Sequence, residues 1–176
     1  WDEFLAAGAS VADAEVTARL QRLRGEDVAD ILFTSGTTGQ PKGVMSSHAQ
    51  NIRVFDAWAT VVGLAHGDRY LIVNPFFHAF GYKAGWLACL LRGATILPLA
   101  VFDADVVLQR IVEDRISVLP GAPTLFQSLL TNWERTPVDV SSLRLAVTGA
   151  ASVPVALIER MRSELGFRTV ITGYGL

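Results

Sequence analysis

The sequence is poor in the features that mark secreted, membrane-spanning and nucleic-acid-binding proteins. Its 176 residues include one cysteine, Cys89, within the apolar run WLACLL, so no intrachain disulfide can form. Fifteen basic and 17 acidic residues give a formal net charge of −2 without any basic run, which argues against nucleic acid as a partner. No uncharged apolar run approaches the ~20 residues of a membrane helix, and no leader-like segment opens the chain. These absences predict a soluble, cytoplasmic protein with Cys89 in its core.

Repeats, low-complexity segments and metal-ligand spacing are also missing. His48 begins a predicted helix and His66 lies in the turn LAHGDR, so neither of these histidines indicates a metal site. What the chain does contain is 51% hydrophobic residues and a mean hydropathy of +0.35, enough for a sizeable core. We therefore expect a globular protein.

The first third of the chain predicts a helix, a strand, a loop and a second helix. Ser10 and Asp13 resemble a capping box for the first helix, and 29–34 is a short apolar run typical of a buried strand. A glycine-rich loop follows. Ser47 and Gln50 form a second capping box, which predicts that a helix follows the loop directly.

Strands and helices then continue to alternate. The apolar runs YLIVNPF, ATILPL, ISVLP, LRLAVTG and RTVITGY read as strands, and amphipathic stretches separate them. YKAGWLACLL reads as a buried helix that ends at Gly93, Asp103 and Ser152 are candidate helix caps, and Pro123 suits a first helical turn. This order predicts an α/β fold with three αβα layers around a largely parallel sheet.

The loop in FTSGTTGQPKG has the chemistry of a phosphate-binding segment. Its glycines admit close backbone approach, its hydroxyls donate hydrogen bonds and its lysine offsets negative charge. The residues concerned are Thr34, Ser35, Gly36, Thr37, Thr38, Gly39, Lys42 and Gly43. A flexible connector is the alternative interpretation. A Walker loop is disfavoured, because Pro41 interrupts the segment and the spacing G-x-x-x-x-G-K-[ST] is absent.

Three further segments follow predicted strands: NPFFHAFGY, TGAAS and the terminal TGYG. Ligands of open parallel sheets bind outside the carboxyl ends of the strands. We therefore expect all four segments to converge on one edge.

These motifs together resemble the adenylate-forming superfamily, which includes acyl-CoA synthetases, luciferases and peptide-synthetase adenylation domains. FTSGTTGQPKG is similar to its phosphate-binding signature, FFHAFG to its second motif, TGAAS to its adenine-site segment and GYGL to the start of its YG-x-T-E motif. The motifs occur in the family's order and extend over essentially the whole chain. The resemblance implies part of the large domain of an acyl-CoA synthetase-like enzyme, with 1–28 as a leading helix and linker and 29–176 as a nucleotide-binding αβα subdomain.

The resemblance also implies a reaction. A carboxylate attacks the α-phosphate of ATP to give an acyl adenylate and pyrophosphate, and the thiol of CoA then takes the acyl group. Residues 34–43 would hold the β- and γ-phosphates, with Lys42 assisting release of pyrophosphate. The adenine would be contacted by the backbone of Gly149, Ala150 and Ala151 and stacked on by Tyr174, which Gly175 follows.

His78 acquires a role only through the resemblance. Taken alone, a histidine between Phe77 and Phe80 is more often a hydrogen-bonded core residue. At the family's FHxxG position it is expected to act as a gate near the carboxylate and the acyl tunnel.

The acid is expected to be fatty or alicyclic. No acidic residue accompanies FFHAFGY to pair with an amino group, and the predicted walls are aromatic and apolar. They are Phe76, Phe77, Phe80, Tyr82, Trp86 and the segment LPGAPTLFQ. The run NPFFHAFGYKAGWLACLL is also similar to bacterial acyl-CoA ligases of sterol-ring degradation, which act on a propionate side chain.

The sequence stops at Leu176, directly before the Thr-Glu pair of the family motif. In the family that glutamate helps to hold Mg²⁺. The fragment alone is therefore expected to be inactive, within a parent acid–thiol ligase that uses ATP, Mg²⁺ and CoA. The alternative is a noncatalytic nucleotide-binding or interaction module derived from the same fold. The oligomeric state is left open.

Overall fold

The computed structural model describes residues 1–34 and 39–173. The chain divides into two compact units, Trp1–Ile52 and Arg53–Leu176. A boundary after residue 28 stays a prediction.

The first unit contains two short helices and a hairpin. Helix α1 is Asp2–Gly8 and helix α2 is Asp13–Arg22. The capping box predicted at Ser10 is wrong: α2 begins after Ala12 without a side-chain cap, and Ser10 Oγ donates instead to the Ala7 carbonyl at 3.1 Å. Asp13 and Glu15 lie in the first turn of α2, where acidic side chains favour the helix through its dipole.

The strand predicted at 29–34 forms but does not join a parallel sheet. It is β1, Val28–Thr34, and it pairs antiparallel with β2, Lys42–Ser47. The predicted order of strand, loop and helix therefore lacked one strand. The segment KGVMSS does not alternate between apolar and polar residues, so its sequence does not indicate a strand. It becomes a strand because it pairs with β1 in an antiparallel ladder. All seven residues of β1 are exposed or half-buried, so the expectation of a buried strand is wrong.

The helix that follows begins where the sequence predicts. Helix α3 is His48–Val62. The Gln50 N–H donates to Ser47 Oγ at 3.3 Å, and the Ser47 N–H donates to Gln50 Oε1 at 2.9 Å. This reciprocal pair confirms the second capping box.

Within the described residues, the second unit is built on a parallel five-stranded sheet with strand order β4-β3-β5-β6-β7. The strands are β3 Arg69–Ile72, β4 Thr95–Pro98, β5 Val118–Gly121, β6 Leu145–Gly149 and β7 Thr169–Gly173. A π-helical segment at Phe80–Leu87 runs into helix α4, Ala88–Arg92. The remaining helices are α5 Ala104–Glu113, α6 Pro123–Arg135 and α7 Val155–Ser163.

Side chains that alternate along the strands build a core on each face of the sheet. Leu71 of β3 packs in a cluster with residues of α5, α6 and α7, whereas its neighbours Tyr70 and Ile72 pack with residues of α3 and α4. Successive side chains of a strand point to opposite faces. The predicted three-layer αβα fold with a largely parallel sheet is therefore confirmed.

Two of the three predicted helix starts in this unit are confirmed. Asp103 Oδ1 accepts from the Val106 N–H at 3.0 Å, and Pro123 occupies the first turn of α6. The cap predicted at Ser152 is wrong, because α7 begins after Pro154 and has no side-chain cap there. The fixed φ of proline sets the helix start instead.

Cys89 lies in the core, as the sequence predicts, with no exposed surface and no disulfide partner. Burial, together with the charge of Asp68, raises the pKa of its thiol to about 12. Among the described residues, no helix combines the length and the apolar content needed to cross a bilayer.

The carboxylate of Asp68 links the amino-terminal ends of three strands through hydrogen bonds. Asp68, which is 6% exposed, precedes β3, while Ser117 precedes β5 and Arg144 precedes β6. Asp68 Oδ1 accepts from Ser117 Oγ at 2.8 Å and from Arg144 Nε at 2.7 Å, and its other oxygen accepts from the Ala65 N–H at 2.8 Å. We call these three side chains the strand-start cluster.

The strand-start cluster sets the ionisation of Asp68. Burial alone raises the pKa of this carboxyl, but hydrogen bonds from Arg144, the Ala65 N–H and Ser117, with the charge of Arg144, outweigh burial and lower it below 3.8. A lowered carboxyl pKa stabilises the fold above the unfolded-state value, and that contribution is lost as the pH falls through the folded-state value.

The substitution Asp68→Asn is expected to lower the free energy of unfolding at pH 7 by roughly 2–3 kcal/mol, because charged hydrogen bonds are lost from a buried site. Denaturant unfolding measured at several pH values tests this, with Glu134→Gln, which disrupts a half-exposed pair with Arg160, as the matched control. The control should leave stability nearly unchanged, because solvent screens an exposed ion pair. Between pH 7 and 5 the gap between wild type and Asp68→Asn should be constant, and it should shrink below about pH 4. A gap that persists unchanged at pH 2 would contradict the assignment.

Candidate active site

The helix predicted after His78 forms, but more than half of it has π geometry. Ala88 N–H donates to the carbonyl of Lys83, five residues earlier, at the end of the π-helical segment. The helix ends at Gly93, which adopts left-handed φ of 66° as a terminating glycine. Tyr70 in β3 donates its hydroxyl to the Ala84 carbonyl at 3.2 Å, and burial raises the pKa of that hydroxyl. The π-helical segment is therefore anchored to the sheet.

His78 lies exposed in the turn that leads into this helix, not in the core. Its N–H donates to the Pro75 carbonyl at 3.0 Å, and its carbonyl accepts from the Tyr82 N–H at 2.9 Å. Its ring Nδ1 accepts from the Phe80 N–H at 3.1 Å. A neutral ring that accepts at Nδ1 carries its proton on Nε2, so this imidazole offers a fixed N–H donor.

Gly81 explains why the FHxxG motif ends in glycine. A Cβ at this position would overlap the carbonyl oxygens of Pro75 and Asn74 and would lie 2.8 Å from the Pro75 carbonyl carbon. The helix therefore packs directly on the backbone of the turn that carries His78. Any side chain at residue 81 would push the two apart.

A cavity of about 430 Å³ lies at the carboxyl ends of β3 and β4. Its lining is mainly apolar: Ile72, Val73, Asn74, Pro75, Phe76, Phe77, Pro98, Leu99 and Ala100. Asn74 Oδ1 is buried and has no hydrogen-bond partner among the described residues. The cavity is thus large and apolar, with one polar side chain in its wall, as is typical of small-molecule sites.

The aromatic residues predicted to line an acid pocket have different environments. Phe76 and Phe77 line the cavity. Phe80 packs edge-on against Trp58, with ring centroids 6.3 Å apart, and joins the core. Tyr82 and Trp86 stack on each other at 4.7 Å. Phe126, from the segment LPGAPTLFQ, is fully buried in the core.

The segment TGAAS begins at the carboxyl end of β6, where two backbones touch. Gly149 pairs with Gly173 of β7, and a Cβ on Gly149 would overlap the Gly173 carbonyl oxygen. Ala150 has φ of 63°, in the left-handed region that side chains other than glycine rarely adopt. Thr148 Oγ1 is buried with no hydrogen-bond partner among the described residues. Strained backbone and orphaned polar groups concentrate at functional sites.

The parallel sheet brings together three of the four motif segments. NPFFHAFGY follows β3, TGAAS includes the end of β6 and TGYG begins at the end of β7. Because carboxyl ends of parallel strands share one edge, these segments meet at the same edge of the sheet. Tyr174 and Gly175 lie outside the described residues.

The phosphate-type loop belongs to the other unit, so its convergence with that edge stays a prediction. Its ends are Thr34 in β1 and Lys42 in β2, which lie opposite each other in the hairpin. Gly43 pairs with Phe33, and Gly39 has φ of 82°. The loop residues Ser35, Gly36, Thr37 and Thr38 lie outside the described residues.

Two polar residues near the motif segments were not singled out from the sequence. The sequence places Asn74 in a strand and Lys83 in a buried helix. Lys83 is only 6% exposed, with Nζ 5.9 Å from the centre of the Tyr82 ring. The signal that could have found it is a lysine inside an otherwise uncharged, apolar run.

No metal site is apparent in residues 1–34 and 39–173, which contain no group of three or more His, Cys, Asp or Glu side chains placed to hold an ion.

The carboxyl edge of this parallel sheet carries close glycine contacts, a histidine ring held at Nδ1 and an apolar cavity. α/β enzymes bind small molecules at that edge of the sheet. The chain belongs to the AMP-binding enzyme family, whose model matches residues 2–176.

Two curated relatives are similar over nearly the entire chain. Both are CoA ligases whose names give the acyl group as 7a-methyl-1,5-dioxo-octahydro-1H-inden-4-yl propanoyl. The protein of Rhodococcus jostii RHA1 is 54% identical over 99% of this chain, and that of Mycobacterium tuberculosis H37Rv is 55% identical over 100%. The chain spans 34% of the length of each relative.

Solved structures show the same fold. The inhibitor-bound N-terminal domain of FACL13 from Mycobacterium tuberculosis matches with a TM-score of 0.75 and 27% identity, over 98% of this chain and 48% of that one. The o-succinylbenzoate coenzyme A synthetase of Bacillus subtilis in complex with AMP matches with a TM-score of 0.74 and 30% identity, over 88% and 38%. The predicted membership of the adenylate-forming superfamily is confirmed.

The substitution Gly149→Ala is expected to destabilise the fold by about 2–3 kcal/mol, because the new Cβ overlaps a backbone carbonyl that cannot rotate away. The matched control is Gly173→Ala on the facing strand, where the nearest atom of the described residues to a new Cβ is the Thr148 carbonyl oxygen, 4.0 Å away. Urea unfolding of both variants compares them, and equal effects would contradict the close contact.

The substitution Gly81→Ala is expected to displace the turn that carries His78 and to lower the free energy of unfolding by about 2–3 kcal/mol. Gly85→Ala serves as its control in the same helix, since a Cβ there would lie 3.3 Å from the flexible end of the Ile72 side chain. Thermal unfolding gives the stability of each variant. A control that is as damaging as Gly81→Ala would show that loss of glycine in this helix, not overlap with the turn, causes the effect.

Proposed function

We propose that the protein carrying this chain is an ATP-dependent acyl-CoA ligase for an alicyclic propanoic acid of the kind derived from sterol rings. The observation that carries the proposal is the 54–55% identity, over 99–100% of this chain, to two ligases named for an indane-dione propanoyl group. The apolar cavity lined by Phe76 and Phe77 supports it, because a bicyclic acid needs a large apolar pocket.

The proposed reaction has two steps. A carboxylate oxygen of the acid forms a bond to the α-phosphorus of ATP, and the bond from that phosphorus to the bridging oxygen breaks, releasing pyrophosphate. The sulfur of CoA, having lost its proton, then attacks the acyl carbon, and AMP leaves. The first step joins two anions, so the protein must position them and offset their charge.

Residues 34–43 are proposed to hold the β- and γ-phosphates of ATP. Thr34 and Lys42 close the loop from opposite strands, which places a hydroxyl and a cation at its mouth. Ser35, Gly36, Thr37, Thr38, Gly39 and Gly43 are proposed to complete the cradle. Lys42 would stabilise pyrophosphate as it leaves, since an ammonium offsets the charge that develops there.

The adenine is proposed to lie against Gly149, Ala150 and Ala151, with Tyr174 stacked on the ring and Gly175 beside it. The close approach of Gly149 to Gly173 supports this, because it keeps the surface at the sheet edge free of side chains. His78 is proposed to face the acid's carboxylate, with its Nε2 proton available to an oxygen atom. Mg²⁺ is proposed to accompany ATP, and no described residue is assigned to it.

A cytoplasmic location is part of the same proposal. CoA is a thiol and Cys89 is a lone buried thiol, which both fit a reducing compartment.

The full-length protein is expected to release AMP and form a CoA thioester when given ATP, CoA and 3-(7a-methyl-1,5-dioxo-octahydro-inden-4-yl)propanoic acid. Mass spectrometry of the thioester and a coupled assay of AMP measure the two products. The variant Lys42→Met should form at least about 10-fold less adenylate, because a charge that stabilises the transition state is lost. Absence of AMP with this acid and with a panel of fatty and aromatic acids would overturn the assignment as a ligase.

A further inference from the structure

Among the described residues that line the cavity at the carboxyl ends of β3 and β4, Asn74 alone has a polar side chain. Its Oδ1 is buried and accepts no hydrogen bond from any described residue. A buried polar atom without a partner destabilises a protein, and such atoms are rare in native structures. The amide of Asn74 therefore serves something other than the stability of this wall.

The two ends of this amide differ in access. The Asn74 side chain makes no hydrogen bond within the described residues, and Oδ1 is its buried polar atom, whereas Nδ2 keeps accessible surface. An amide nitrogen carries two N–H donors and does not accept. The group that Asn74 can offer to a molecule in the cavity is therefore a hydrogen-bond donor.

The backbone at Asn74 is restricted from two sides. Pro75 follows it, and a residue that precedes proline favours extended conformations. The Asn74 carbonyl oxygen lies against Gly81, where an added Cβ would overlap it. A donor whose backbone is already fixed loses little freedom when a ligand binds, and this preorganisation favours specific recognition.

The acid proposed for this enzyme carries the matching acceptors. The names of the two curated ligases place two ketones on the ring system of the acyl group. A ketone oxygen accepts hydrogen bonds and donates none, so it fits an N–H group. A ketone that enters an apolar cavity loses its hydrogen bonds to water, which is costly unless the wall replaces one of them. Asn74 is the side chain in the described wall that can do so.

We propose that Asn74 determines substrate specificity by donating a hydrogen bond from Nδ2 to a ring ketone of the acid. This inference rests on the proposed ligase function and deepens it by naming the residue that recognises the oxygenated ring.

The experiment measures kcat/KM of the full-length enzyme for three acids with one ring skeleton. They are 3-(7a-methyl-1,5-dioxo-octahydro-inden-4-yl)propanoic acid, the analogue with CH₂ in place of both ketones, and the analogue with hydroxyls in place of both. Asn74→Leu removes the donor and keeps a similar volume. The ratio of kcat/KM for the dioxo acid to that for the CH₂ analogue should fall about 10-fold in this variant, as expected for one lost hydrogen bond. The change should raise KM for the dioxo acid and leave kcat nearly unchanged, because the ring is remote from the reacting carboxylate.

Asn132→Leu is the matched control. It removes the same side chain from α6, where Asn132 Nδ2 donates to Asp105 Oδ1 at 2.9 Å and does not line the cavity, so the ratio should not change. Asn74→Leu should be at least as stable as the wild type, since it replaces an unpaired buried polar atom with an apolar group. If it does not fold, Asn74→Asp decides the question, because it keeps the shape without the N–H donors and should show the same fall in the ratio.

A ratio that changes less than about twofold in Asn74→Leu would overturn the inference and leave the ligase function standing. A loss confined to the dihydroxy acid would also overturn it, because Asn74 would then accept through Oδ1 rather than donate. Absence of activity towards all three acids and towards fatty and aromatic acids would instead overturn the proposed function itself.

Discussion

The parallel sheet depends on a carboxylate that is buried at the point where three strands begin. Asp68, Ser117 and Arg144 each occupy the position directly before a strand, and their hydrogen bonds fix where β3, β5 and β6 start relative to one another. Two further hydrogen bonds join the starts of β3 and β5: the Arg69 N–H donates to Ser117 Oγ at 2.9 Å, and the Ser117 N–H donates to the Arg69 carbonyl at 2.9 Å. Strands of four or five residues that start in a fixed register also end in one. The register at the amino-terminal edge therefore determines where the strands end at the carboxyl edge, which carries the candidate site.

At the carboxyl edge of the sheet, close contacts between backbone segments restrict which residues can be accommodated. Gly81 brings a helix onto the turn that carries His78, and Gly149 brings β6 onto the end of β7. Both contacts exclude a Cβ, so these two motif glycines serve the packing of the protein itself. The His78 ring is held locally beside the first of these contacts, because its Nδ1 accepts from the Phe80 N–H two residues along the chain.

Sequence reasoning found the layers, the parallel strands and most helix starts of the second unit, because strongly periodic apolar runs and caps such as Asp103 leave a local signal. It missed β2, since the strand character of KGVMSS comes from pairing with β1 and not from its own composition. It misplaced the starts of α2 and α7, where Ala12 and Pro154 precede the helices and no polar cap is used. The π-helical geometry and the burial of Lys83 depend on tertiary packing, to which a single sequence gives no direct access. The motif residues were found by resemblance, and their proposed roles remain predictions.

The buried thiol of Cys89 bears on the chemistry of thioesters. A thiol exchanges with a thioester only as its thiolate, and a pKa of about 12 leaves Cys89 almost entirely protonated at neutral pH. Its side chain has no exposed surface that a CoA derivative could reach. An enzyme that releases an activated acyl group to an external thiol risks losing that group to a cysteine of its own. In this chain the lone cysteine is buried and protonated, so it would not compete with CoA for the acyl group in the proposed reaction.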